Sequence, residues 1–389
     1  MVSVSTKIFS SVLANTVSSS MDLNISRPTL LLDISKVKAN LNNMMNKAQS
    51  NKVELIPHFK THQSEEIGEF YREVGVEKIT VSSVKMAEFF AEAGWNDITI
   101  AFPFNTLEID AVNSMLNDGV NLTLLISDPE TYNSLKGKFV SMVQVMIEID
   151  TGYGRSGISS RAVESILGLA EKIHEDSHLK LYGLYAHPGN TYHADSIEEI
   201  HQIWSLSIEE LNILRDELNA INPELKIRIG DTPGCSVVQN MAGVDEIGPG
   251  NFIFYDLVMN YLGVCNEDEI AVAVACPVVA KYAERSEIVI HGGAVHFSKD
   301  HLFDKEENKF FGEMVILKDG GWSSIIPNAQ LRSLSQEHGI VSLDDEVFNE
   351  VKIGDVIGFL PIHSCLTTNL MKSYRSLEGR TYNHLENLK

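Results

Sequence analysis

Lys60 stands in the stretch Pro57-His58-Phe59-Lys60-Thr61-His62, where the apolar run Val53 to Ile56 gives way to polar residues. Such a change reads as a strand meeting its loop. A primary amine there can condense with a carbonyl to form a Schiff base, provided its site overrides the pKa of about 10.4 that a lysine has in water. Other strand-to-loop junctions offer complementary groups. Asp150-Thr151-Gly152-Tyr153-Gly154-Arg155-Ser156-Gly157 sets one arginine, able to meet an anionic oxygen, among glycines that let backbone approach a ligand closely. Ala186-His187-Pro188-Gly189-Asn190-Thr191-Tyr192-His193 carries two histidines. Gly230-Asp231-Thr232-Pro233-Gly234 and Gly248-Pro249-Gly250-Asn251 are loops of the kind that bind phosphate through bare backbone N–H groups. Taken singly, a Gly-Pro-Gly is a turn, and a histidine after a strand is more often a structural hydrogen-bonding group.

A second donor set lies near the C-terminus, in Pro361-Ile362-His363-Ser364-Cys365. If that segment is extended, residues two apart face the same way, so His363 and Cys365 can grip one metal ion. Imidazole plus thiolate favours zinc over magnesium or manganese. Alone, a His-x-Cys is more often a buried structural pair.

The elements that must position these residues repeat one unit. Strands are expected at Thr29 to Leu32, Glu54 to Pro57, Lys78 to Val81, Asp97 to Ala101, Asn121 to Ile126, Met142 to Ile149, Lys180 to Tyr185, Lys226 to Ile229 and Asp245 to Ile247. Helical spacing runs between them at Asp33 to Gln49, Ser64 to Val74, Val84 to Ala93, Leu107 to Asp118, Ala162 to His174 and Ser196 to Ala220. Eight short strands alternating with helices, from Glu54 onward, predict a closed parallel (β/α)8 barrel of the TIM type, with its functional residues at the C-terminal ends of the strands. Beyond about residue 265 strand patterns dominate, which predicts a second, mostly β domain over 266–389. The barrel is expected over 25–265, with the strand within 25–33 a candidate to join the β domain, and residues 1–24 as a poorly ordered leader.

Composition narrows the function. A chain of 389 residues with 44% hydrophobic and 22% charged residues is long enough for a large and a smaller domain. A net charge of -22 argues against nucleic acid and anionic membranes, which demand a basic face. The four cysteines, Cys235, Cys265, Cys276 and Cys365, lack the spacing of a disulfide framework, so a cytoplasmic location is expected. No apolar run approaches the length of a membrane span.

An amine that forms an imine, a phosphate cradle and groups to flank a ring together point to pyridoxal 5'-phosphate. Five motifs, His58 to His62, Asp150 to Gly157, Tyr185-Ala186-His187, Gly230 to Pro233 and Pro249-Gly250-Asn251-Phe252-Ile253-Phe254-Tyr255-Asp256, resemble the D-serine dehydratase and D-threonine aldolase-like family of pyridoxal-phosphate enzymes, relatives of alanine racemase. The likeness runs from about Pro28 to Asn369. It implies an alanine-racemase-type barrel with a β domain, and a homodimer. It implies that Lys60 carries the cofactor as a Schiff base and that Arg155 meets its phenolic oxygen. His187 would lie against the pyridine ring with Tyr185 in the same motif, and Gly230, Asp231, Thr232, Gly250 and Asn251 would form the phosphate loops. It also implies that His363 and Cys365 hold a metal, as in the dehydratase branch, whereas the aldolase branch resembles His-x-Asp.

The reaction so implied is dehydration of a D-β-hydroxy amino acid, such as D-serine or D-threonine. Lys60 removes the α-proton, zinc draws off the β-hydroxyl, and the products are a 2-keto acid and ammonia. His193 is a candidate acid, though a lone histidine is more often structural. Rival readings are an aldolase releasing glycine and an aldehyde, an amino-acid racemase, and a non-catalytic cofactor carrier. Two departures from the pattern stand out. Gly248 replaces the arginine expected to hold the pyridine nitrogen, and Ile290 to Asp300 departs from an Asp-Ala-Gly-x-Lys form, with His291 and His296 as candidates to reshape the substrate pocket.

Overall fold

The computed structural model describes residues 24–387, so all but the last residue of the expected leader lies outside the described residues. The chain divides into two units. One is Ala39–Ile253 with Leu262–Val264, and the other takes the described chain up to Lys38, Phe254–Tyr261 and the described chain from Cys265 on.

In the first unit eight parallel strands form a ring, with the short strand Ile158–Ser159 pairing beside Val143–Asp150. Their order is Glu54–Leu55, Glu246–Ile247, Lys226–Ile229, Leu179–Ala186, Val143–Asp150, Asn121–Ile126, Asp97–Pro103 and Ile79–Val81. The first and last in this order meet through a parallel bridge between His58 and Thr80. Phe59 N donates to Thr80 O at 2.8 Å and Thr80 N to Pro57 O at 2.9 Å, which closes the ring. Pro57 has no N–H of its own, and the regular ladder of the first strand stops short of it. Strands such as Asn121–Ile126 are buried at all but their first residue, as expected where a parallel strand is covered on both faces.

Helices follow the strands with legible starts. Ser83 caps Val84–Glu92 by accepting from Met86 N, and Ser196 caps Ile197–Glu217 by accepting from Glu199 N. Three details depart from the sequence reading. The expected helix Leu107 to Asp118 is a 3-10 turn, Thr106–Glu108, followed by a helix at Ile109–Asn117. Pro129–Leu135, capped by Asp128 with proline in the first turn, was not expected, and neither was Thr232–Val237. Both are under two turns, too short to display a 3.6-residue repeat.

In the second unit six strands form a closed, antiparallel ring. Its order is Glu287–His291, His338–Ser342, Gln330–Leu334, Gly312–Val315, Val356–Pro361 and Val272–Tyr282, the last pairing back onto the first. Thr29–Leu32 extends this sheet, antiparallel to Val272–Tyr282 and parallel to Ser373–Ser376. Among the described residues no helix is long and apolar enough to cross a membrane.

Candidate active site and metal pair

Lys60 is half-buried in the turn after the first barrel strand. The turn is anchored from both sides. Phe59 is fully buried, its ring packed against Tyr71, Phe90 and Trp95 at centroid distances of 4.8 to 5.1 Å. Buried His62 stacks on Tyr71 at 5.5 Å, and Gln63 Nε2 donates to Lys60 O at 3.1 Å. With both flanking aromatic groups locked into the wall, the intervening lysine has little freedom of backbone.

The loop after the eighth strand packs beside this turn through bare glycine backbone, and the loop after the seventh packs against it in turn. His58 N donates to Pro249 O at 2.9 Å. A Cβ on Gly250 would lie 2.9 Å from His58 O and 3.0 Å from Thr61 Oγ1, and one on Gly230 would lie 3.1 Å from Gly248 O and 3.2 Å from the Tyr185 hydroxyl. Side chains at these positions would fill the place where the three loops meet. Thr232 opens the helix Thr232–Val237; its N–H donates to the Tyr192 hydroxyl at 3.0 Å, while its own Oγ1 is buried with no hydrogen-bond partner. A buried hydroxyl left so is costly unless a ligand meets it.

The Asp231 side chain faces the protein. Its carboxylate is taken up by protein donors: Trp204 Nε1 at 2.7 Å, Thr191 Oγ1 at 2.9 Å and Gly234 N at 2.5 Å. Burial pushes its pKa up to about 6 against these three bonds, which favour the charged form. It therefore organises the loop as the helix N-cap.

Charge gathers at the same strand ends. Burial, then the charges of Lys60, His187, Arg155 and His62, hold His58 well below the usual histidine range. Burial and the Arg155 guanidinium push His187 down to about 3, against the hydrogen bond that its Nδ1–H donates to Gly230 O. Both rings are neutral near pH 7, and the cations among these groups are Lys60 and Arg155. Arg155 is exposed, on a loop tied to Asp150 Oδ1 by Gly152 N at 2.9 Å and Gly154 N at 3.0 Å. Gly157 there has φ +103, and a Cβ on it would come within 2.8 Å of Asp150 N. His187 lies between Tyr153 and Tyr192, at centroid distances of 6.0 and 6.1 Å. Burial raises Tyr185 to about 12, so its hydroxyl keeps its proton.

Lys60, Arg155, His187, Tyr185, Gly230 and Gly250 thus lie on loops or strand ends of one ring, with Thr232 opening a helix and Asn251 a 3-10 turn after its strands. His193 is exposed at the end of the 3-10 turn Gly189–His193 and is not among the charges acting on His58 or His187. Arg228, the buried arginine beside Gly248, is engaged by Glu246 at 2.7 Å and Thr99 at 2.6 Å.

In the second unit His363 and Cys365 do come together, though not by strand alternation. His363 is extended, with φ −133 and ψ 102, but it caps the helix Ser364–Met371, and Cys365 lies in the first turn. Burial opposes a charge on His363, yet hydrogen bonds to Asp300 and Cys365, with the charges of Cys365 and Asp256, raise it to about 11. The surroundings call for a positive charge, which suits a cation. Asp256 is fully buried, and its Oδ2 accepts from Ser364 N at 2.9 Å. Sequence reading assigned no role to Asp300 or Asp256, and no local pattern announces partners 63 and 108 residues away from His363 and Ser364 respectively.

His291, His296 and Glu337 also approach within 4.8 Å of one another. His296 Nδ1, however, accepts from Gly293 N at 3.1 Å, so the neutral ring keeps its proton on Nε2, the atom 3.8 Å from Glu337. That tautomer makes Nε2 a donor and not a ligand.

Residues 32–276 match the family described as alanine racemase, N-terminal domain, and residues 271–377 the putative serine dehydratase domain. The chain is 30% identical over 386 residues to the D-serine dehydratase of Dictyostelium discoideum, spanning 92% of this chain and 94% of that one. It is 26% identical over 365 residues to the D-threo-3-hydroxyaspartate dehydratase of Delftia sp. strain HT23, spanning 91% and 95%. The solved structure of the Delftia enzyme superposes with a TM-score of 0.87 at 24% identity, over 94% of this chain and 99% of that one. Motifs, ring topology and these likenesses agree: the chain belongs to the family in which an alanine racemase N-terminal domain is joined to a serine dehydratase domain.

Proposed function

We propose that the protein is a pyridoxal-phosphate-dependent lyase that dehydrates a D-β-hydroxy amino acid, releasing a 2-keto acid and ammonia. The observation that carries this is Lys60, half-buried in a locked turn, packed beside the bare glycine loop after the eighth strand and close to Arg155 and two neutral histidines. The names of the Dictyostelium and Delftia relatives support dehydration.

The residues fit the cofactor. Thr232 Oγ1, buried without a partner, suits a phosphate, and Gly250 lets the eighth-strand loop lie against the Lys60 turn with no side chain between them. When bound, the cofactor supplies an electron sink for negative charge at the substrate's Cα. Lys60 Nζ is the amine that holds it and, once released, the base that takes the Cα proton. His187, uncharged and fixed by its Nδ1–H to Gly230 O, offers a flat face to a ring. Arg155 places a cation for a phenolic oxygen.

Zinc is the finer part of the proposal. Its support is the donor set, one imidazole and one thiol joined in the first turn of a helix. A variant of a D-threo-3-hydroxyaspartate dehydratase has been solved in a metal-free form. A divalent cation there would act as a Lewis acid on an oxygen leaving group.

The test is to incubate the holoprotein with a panel of D- and L-β-hydroxy amino acids and identify the products. Ammonia and a 2-keto acid from D-substrates are expected. Glycine with an aldehyde would replace dehydration by the aldolase reading, and inversion with solvent deuterium at Cα by the racemase reading. Borohydride reduction followed by peptide mapping is expected to find the cofactor on Lys60, and a label elsewhere would overturn the assignment.

A further inference from the structure

We propose that Asp300 is a positioning residue for the metal pair, holding the Nδ1–H of His363 so that Nε2 is the nitrogen left to ligate beside the Cys365 thiolate. This rests on the reading of His363 and Cys365 as metal ligands.

The geometry is specific to one ring nitrogen. His363 Nδ1 lies 2.8 Å from Asp300 Oδ2. An ionised carboxylate only accepts, so the proton sits on Nδ1 and the lone pair of the neutral ring on Nε2. A carboxylate behind a ligating imidazole fixes its tautomer and rotation and makes it a stronger donor.

Asp300 is held in place by its own loop. The loop leaves the short helix Ala294–Phe297 through Ser298, whose φ of +72 turns the chain, and Ser298 Oγ accepts from Asp300 N at 3.1 Å. Lys299 Nζ donates to Leu334 O at 3.0 Å, tying the same turn to the β ring. Thr367 Oγ1 donates to Phe297 O at 3.4 Å, joining that loop to the helix that carries Cys365. From the other side, Asp256 takes the N–H of Ser364, the residue between the two ligands. His363 is therefore fixed through its ring by one aspartate and through the adjoining backbone by another.

The experiment titrates metal-free protein with cobalt(II), following the thiolate-to-cobalt absorption band. Cys235, Cys265 and Cys276 are buried, with thiols that burial pushes up, so the band reports Cys365. The variant Asp300→Ala is expected to bind cobalt about 10- to 100-fold more weakly, with the band unchanged in shape at saturation. Asp300→Asn, whose amide oxygen can still accept from Nδ1–H, is expected to recover part of that loss, which a merely structural role would not predict. Retained pyridoxal-phosphate absorbance in both variants serves as the control for folding. Equal affinity in wild type and Asp300→Ala overturns the proposal, as does a change in cobalt coordination number on substitution, which would make Asp300 a ligand. A band that survives Cys365→Ala, or no band in the native protein, overturns the metal reading and takes this inference with it.

Discussion

Asp231 Oδ1 accepts a hydrogen bond from Trp204 Nε1 at 2.7 Å, joining the longest helix of the barrel unit to the loop after its seventh strand. Gly234 makes the approach possible, since a Cβ there would lie 2.2 Å from the Trp204 ring. Removing the carboxylate would leave the buried donors of Trp204, Thr191 and Gly234 without an acceptor. Asp231→Ala is therefore expected to lower stability by about 2–4 kcal/mol and to weaken cofactor binding. Urea unfolding of the holoprotein and a pyridoxal-phosphate titration check both effects. Unchanged cofactor affinity would detach this network from the phosphate loop.

The same carboxylate makes stability depend on pH. Its folded-state pKa of about 6 lies above the 3.8 of an exposed aspartate, mainly through burial. The folded chain therefore holds this proton more tightly than the unfolded one. The contribution is fully present below pH 3.8 and is lost as pH rises through about 6. Asp231→Asn cannot titrate, so its stability relative to wild type is expected to rise across that interval. Paired urea curves at several pH values measure the difference, and a flat difference would sink the assignment.

Gly250→Ala tests the cradle without touching a charge. Its Cβ would fall 2.9 Å from His58 O and 3.0 Å from Thr61 Oγ1, so the eighth-strand loop must move away from the turn that carries Lys60. A shift of roughly 1 Å at such a site costs on the order of 100-fold in rate. The expected signs are weaker cofactor binding and slower formation of 2-keto acid, with little loss of secondary structure by circular dichroism.

The barrel was legible because parallel strands buried on both faces leave mostly apolar runs, as in Leu122 to Ile126, broken only by Thr123, and Val143 to Ile149, broken only by Gln144 and Glu148. The position of Lys60 in a turn after a strand was legible because its motif is continuous in sequence. The His58–Thr80 bridge was not, since closure depends on strands placed by the whole ring. Nor were the partners of the Asp231 carboxylate, Thr191 and Trp204, which lie on other elements. The strand alternation expected at His363 and Cys365 is replaced by a helix start. Two residues apart, they can be joined by a strand or by a cap and the first turn of a helix, and Asp256, accepting from Ser364 N, favours the second.

Chelation is expected to separate the two halves of the chemistry. Prolonged treatment with a strong chelator should lower 2-keto acid formation by at least about 10-fold, while the cofactor stays on Lys60, and added zinc should restore the rate. Cys365→Ala should mimic the treated protein and resist rescue. Full activity in a sample shown to be free of metal by elemental analysis would remove zinc from the reaction.

Arg228 and Glu246 form a buried ion pair at 2.7 Å, each side chain 2% exposed, on adjacent parallel strands of the ring. Glu246 also accepts from the Tyr182 hydroxyl, and Arg228 Nη1 donates to Thr99 Oγ1 at 2.6 Å, so the pair joins strands that are not neighbours. Glu246→Ala strands a guanidinium in the barrel interior and is expected to cost about 3–5 kcal/mol. Replacing both partners with apolar residues of similar volume removes the stranded charge along with the bond. The double variant should therefore be markedly more stable than the two single losses added together. A double-mutant cycle by urea unfolding reads this directly; additive losses would mean that water reaches the pair and solvates whichever charge is left.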